Sequence, residues 1–181
     1  MLRPVTVLFL AMATVAPAAL AADPPSTAAA GTAVPAPSTD EFLTKAAAGN
    51  RFEIDSSKLA MSKTKSETVK AFANEMVADH GKAATKMKQA VTDAKAKAPA
   101  DSLDAKHQAI YDELKKKDGV AFDKAYVDAQ MQGHVDTVAL FESYASNGDN
   151  PRIKAFANDL LPTLRTHLDH VKKLQAAMAR S

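Results

Sequence analysis

The sequence predicts an all-α fold: a four-helix bundle made of two antiparallel helical hairpins, joined by a long crossover that carries a short extra helix. Three observations predict it. Alanine and lysine dominate the composition, while aromatics make up 6% of it, tryptophan is absent and glycine is scarce; this is the residue usage of long helices. Apolar residues recur at three- and four-residue spacings over four long stretches, the period of one helix face. The chain also repeats itself: VKAFANEM at 69–76 returns as IKAFANDL at 153–160, with only Val/Ile, Glu/Asp and Met/Leu exchanges.

The first residues lie apart from the fold. Arg3, the apolar run LFLAMATVA and the small-residue site Ala19-Leu20-Ala21 have the pattern of a secretory signal peptide over 1–22. No transmembrane segment is expected once it is cut. Residues 23–38, DPPSTAAAGTAVPAPS, are rich in proline and alanine and short of large apolar side chains. They cannot bury enough surface to fold, and they predict a flexible tether. The domain then occupies 39–181, and the expected address is exported: periplasmic or secreted. With no cysteine, disulfide and thiol chemistry are excluded.

Helix 1 is expected from Ser38 or Thr39 to about Met61, opened by a capping box of Ser38 with Glu41. A second box, Thr64 with Glu67, predicts a helix to about Lys97, stopped by Pro99. A short helix follows, with Leu103, His107, Ile110 and Leu114 on one stripe, and Asp118-Gly119 breaks the chain. Helix 4 is expected over about 120–146. The turn Asn147-Gly148-Asp149-Asn150-Pro151 supplies a cap and a first residue for helix 5, which runs to about Ala179. The repeat falls near the start of the second helix of each hairpin. The same offset pairs Gly49 with Gly133, both inside first helices, where they would let neighbouring helices approach closely. Neither hairpin can bury its apolar face alone, so the two must pack together. Two hairpins with one long crossover make the ferritin-like arrangement.

FLTKAAAGNRFEIDSSKLA (42–60), VKAFANEMVADH (69–80), FDKAYVDAQMQGHVDTVALFE (122–142) and IKAFANDLLPTLRTHL (153–168) together resemble the family called domain of unknown function 4142. The resemblance covers essentially the whole domain. It implies an exported bacterial protein related to the ferritin-like superfamily, and it implies no particular chemistry.

Each of the four long stripes carries one metal-binding residue type: Glu53, His80, His134 and His167. Imidazoles suit zinc, copper or iron, and one carboxylate can complete a set of four. The pattern argues against di-iron chemistry. It needs Glu-x-x-His on two helices, but Val77 and Leu164 stand three residues before His80 and His167. Met76 with His80 and Met131 with His134 add a sulfur variant suited to Cu(I), against the ordinary role of methionine as a core filler. The competing reading of all four residues is structural: polar core groups that bond one another and fix register. Pro162, inside helix 5, is expected to bend it.

A formal charge of +2 is too small to imply a nucleic-acid partner. The lysine run at 82–98 has acidic neighbours and no aromatic among them, and reads as a solvated face. No phosphate loop or nucleophile set is recognisable. The leading expectation is therefore an exported helical bundle without catalytic activity, serving a binding or envelope-stress role, able to form a homo-oligomer and with no protein partner named by the sequence. The alternative is a metal-binding protein, for iron or copper, using the Glu/His set.

Overall fold

The computed structural model describes residues 37–180; the expected signal peptide and nearly all of the tether lie outside them. The described residues form five helices and no strand: α1 (Thr39–Lys63), α2 (Glu67–Ala94), α3 (Ala105–Lys115), α4 (Gly119–Asn147) and α5 (Pro151–Met178).

The helix ends follow local side-chain chemistry. Ser38 and Glu41 form the reciprocal capping box at α1. The expected box of Thr64 with Glu67 does not form. Thr64 instead ends α1, its N–H bonding Ala60 O, while its hydroxyl accepts from Ser66 N at 3.0 Å. With Thr64 engaged there, Ser66 caps α2 by accepting from Val69 N. That helix ends at Ala94, short of the expected Lys97. Lys95 turns left-handed at φ 51°, and Ala96 N closes on Val91 O at 3.0 Å. Such a turn satisfies carbonyls that the helix end leaves open. Asp104 caps α3 through His107 N, and Asn150 caps α5 through Arg152 N and Ile153 N, with Pro151 first in the helix.

Packing sets the topology. α1 lies against α2 and α4, α5 against α4 and α2, and α3 against α1 and α4. The core is divided into two apolar clusters. One holds Phe42 and Leu43 of α1, Met87 and Val91 of α2, Phe141 and Tyr144 of α4, and Ile153 and Phe156 of α5. The other holds Phe52 and Ala60, Val69 and Phe72, Phe122 and Tyr126, and Val171. α1 and α5 thus run from the first cluster to the second, while α2 and α4 run the opposite way. Among the four long helices, those in contact are antiparallel, and the segment from Lys95 to Asp118 must return from the first cluster's end to the second's. α3 rides on that return.

The repeat follows this order. Val69/Ile153, Phe72/Phe156, Ala73/Ala157 and Met76/Leu160 are all buried, each first member in one cluster and each second member in the other. The long helices also bury polar residues: Glu53, Ser56 and Ser57 of α1, His80 of α2, Asp123, Gln130 and His134 of α4, and His167 of α5.

Candidate metal centre in the bundle core

Helical periodicity places the three histidines. His80 lies one turn beyond Met76, His134 one turn beyond Gln130, and His167 three residues beyond Leu164, all on buried faces. Their residual exposures are 4%, 1% and 2%. The ring centroids form a near-equilateral triangle with sides of 5.7, 5.5 and 5.5 Å.

Each ring is held from outside the triangle. His80 Nδ1 lies 3.0 Å from Asn50 Oδ1, His134 Nδ1 lies 2.9 Å from the carbonyl of Gln130, and His167 Nε2 lies 3.2 Å from Asp79 Oδ2. All three partners are oxygen acceptors, so those nitrogens carry the protons. The other nitrogens, His80 Nε2, His134 Nε2 and His167 Nδ1, are buried and have no hydrogen-bond partner. They keep bare lone pairs. A buried polar atom without a partner costs of the order of 1–3 kcal/mol, and here three occur together.

Nitrogens from the three rings lie within 4.8 Å of one another. A tetrahedral ion with nitrogen bonds of about 2.0–2.1 Å would set its ligands roughly 3.3–3.4 Å apart, so each ring would move by less than about 1 Å. The outside acceptors fix tautomer and ring orientation, as partners of metal-ligating histidines do.

Electrostatics favours ligation over protonation. Burial pushes His134 down to about 4, and it pushes His80 well below the usual histidine range, helped by the two neighbouring imidazoles. His167 is also lowered by burial, against the opposing pull of Asp79 and Glu75. All three rings are therefore neutral near pH 7 and available as donors.

Glu53 sits at the same level but outside the triangle. Its Oε1 is 3.8 Å from His134 Nδ1, the protonated side of that ring, and its Oε2 is buried without a partner. Burial raises its carboxyl to about 8, opposed by a hydrogen bond with the side chain of Gln130. It is therefore a neutral acid at pH 7. Gly133 makes its room: a Cβ there would stand 2.9 Å from Glu53 Oε1. Met76 packs in the cluster of Phe72 and Tyr126, and Met131 lies against that same cluster.

The site has supporting residues that periodicity could not assign. Asp79 follows the helix away from His80, yet it reaches across to His167 of α5. Asn50 serves His80 from one turn before Glu53. A surface cavity of about 200 Å³ between α2 and α5 is lined by Asp79, Leu164, His80 and His167, so two of the three rings border a path to solvent.

The sequence model of the domain of unknown function DUF4142 matches residues 24–174, and the chain belongs to that family. No curated protein matches it in sequence. Among solved structures, CopM in the Cu(II)-bound form shares the fold, with a TM-score of 0.65 over 78% of this chain and 98% of that one, at 14% identity.

Proposed function

We propose that this DUF4142 protein is a metal-binding helical bundle of ferritin-like arrangement, which holds one copper ion through His80, His134 and His167. The observation that carries the reading is the coincidence of three buried, unpartnered imidazole nitrogens within one cluster. A set of hydrogen-bonded core histidines would have satisfied them. Three neutral imidazoles with no carboxylate among them suit copper, zinc or iron, and nitrogen donors favour copper among the divalent first-row ions. That a structural neighbour was solved with Cu(II) supports testing copper first and iron second. Glu53, beside His134, would offset the ion's charge on ionising.

The three histidines account for metal binding, and binding is the role that this donor set supports. The signal-peptide pattern over 1–22 and the tether over 23–38 support an exported, periplasmic setting, in which a copper-holding protein would serve metal handling or envelope defence.

The test is metal analysis of the mature, untagged protein, beside a His80→Ala/His134→Ala variant. About one equivalent of a single metal, lost in the variant, is expected for a three-histidine site. No metal in either protein after incubation with Cu(I), Cu(II), Fe(II) and Zn(II) would overturn the reading and leave the histidines structural.

A further inference from the structure

A groove of about 440 Å³ runs between α1, α2 and the crossover residues 98–101. Helical spacing builds two of its walls. Ala47, Arg51, Ile54 and Lys58 stand four, three and four residues apart on α1, so they share one face. Ala84, Met87, Lys88 and Val91 do the same on α2. Ala98, Pro99 and Ala100 of the crossover supply an apolar third wall. Ile54 belongs to neither core cluster, so the apolar surface it offers on α1 lies in this groove.

Four charged residues line the groove: Arg51, Lys58, Lys88 and Asp101. Arg51 is already engaged. Its Nε donates to Asp55 Oδ2 at 2.7 Å, and its Nη1 lies 3.6 Å from Asp101 Oδ1, which ties the crossover to α1. Lys58 and Lys88 are exposed, stand on different helices, and have ammonium groups without a partner among the described residues. The groove thus joins an apolar lining to two spare positive charges. Its volume falls in the range of small-molecule sites.

We infer that this groove binds a single-chain carboxylate of the fatty-acid class, with its alkyl chain laid along α1 and its carboxylate paired with the free lysines. The length fits. From Ala47 to Lys58 the helix rises about 16 Å, the reach of one extended chain of medium length. A peptide helix of that length and about 10 Å across would fill roughly 1,250 Å³, far more than the groove holds. Methylene burial supplies the affinity. The lysines supply the selectivity for an anion, as charge-assisted bonds do. The inference needs no metal and stands apart from the copper reading.

The test is calorimetric titration of the full mature protein with decanoate, kept below its micellar concentration. One-to-one binding is expected. Octanoate should bind roughly tenfold more weakly, since two fewer methylenes are buried. Decan-1-ol, which lacks the charge, should also lose about tenfold. Lys58→Glu/Lys88→Glu is expected to weaken decanoate by at least about tenfold. Lys70→Glu/Lys173→Glu makes the same charge change at exposed positions outside the groove and should leave binding alone. Ile54→Trp fills the groove and should abolish binding, with circular dichroism reporting that the helices are kept. All four lysines are exposed, so the charge variants test the site even if the tryptophan variant fails to fold. No decanoate binding by the wild-type protein would overturn the inference. So would equal affinity for decanoate and decan-1-ol, equal weakening by the two charge variants, or binding to phosphatidylglycerol vesicles alone.

Discussion

Asp79 of α2 accepts the Nε2 proton of His167 of α5 at 3.2 Å, and that bond leaves the Nδ1 of the same ring bare in the core. The carboxylate thus decides which nitrogen faces the other histidines. Asp79→Ala removes the acceptor and frees the ring to rotate and change tautomer. Copper affinity is expected to fall about 10–100-fold, the usual cost of losing a partner behind a ligating histidine. Asp79→Asn keeps an oxygen acceptor and should retain most of that affinity. Competition titration against a chelator of known affinity measures both, and equal binding by Asp79→Ala would remove Asp79 from any orienting role.

The unpartnered nitrogens make a prediction about the metal-free protein. His134→Leu deletes one of them, and the Gln130 carbonyl it bonded lies inside α4, where the helix already satisfies it. The apo variant is expected to be more stable than wild type by about 1 kcal/mol at pH 7, since an unsatisfied buried atom is replaced by an apolar one, while metal binding is lost. The gain should grow as pH falls. His134 titrates at about 4 when folded, against 6.5 as its ordinary value. The unfolded chain therefore takes up the proton first, and stability present above pH 6.5 is lost as pH falls to about 4, by of the order of 3 kcal/mol for this group. Urea unfolding at pH 7 and pH 4.5 checks both statements. A less stable variant at pH 7 would favour a satisfied structural cluster.

The helices and their order were legible in the sequence because period and repeat report buried faces. The repeat pairs His80 with Leu164, a buried position, and this marks His80 as inward-facing. Level along the bundle was not legible. It depends on how far each hairpin is offset, and only the division of the core into two clusters shows Glu53, His80, His134 and His167 in one layer. Nor could spacing separate the triangle of rings from Glu53, whose carboxylate meets the protonated edge of His134. The partners of the rings were beyond reach for a related reason. Asp79 diverges from His80 on its own helix, and its contact is with α5. Thr64 misled the capping pattern because it was already ending α1.

Glu53 carries the opposite linkage. Its folded carboxyl titrates at about 8, against 4.5 as its ordinary value. The folded state binds the proton more tightly, so its contribution is fully present below pH 4.5 and is lost as pH rises through about 8. Glu53→Gln keeps the shape without the ionisation. In the apo protein it should change stability little at pH 5 and raise it by roughly 3–5 kcal/mol at pH 9. Thermal unfolding across pH 5–9 tests this, and parallel curves for the two proteins would show that the carboxyl is not desolvated.

The two glycines at equivalent positions of the repeat should respond in opposite ways. At Gly49 a Cβ would meet only Thr137 Oγ1 at 3.8 Å, an ordinary contact. Gly49→Ala therefore keeps its packing and gains helix propensity, about 0.5–1 kcal/mol of added stability. At Gly133 a Cβ would stand 2.9 Å from Glu53 Oε1, closer than such contacts allow. The glutamate is buried and has little room to withdraw, so Gly133→Ala should destabilise by about 1–3 kcal/mol, the usual range for overpacking. Gly133→Ala/Glu53→Ala removes the obstruction and should recover part of the loss. A double-mutant cycle from urea unfolding gives the coupling directly, and additive effects would mean that Gly133 is not there to admit Glu53.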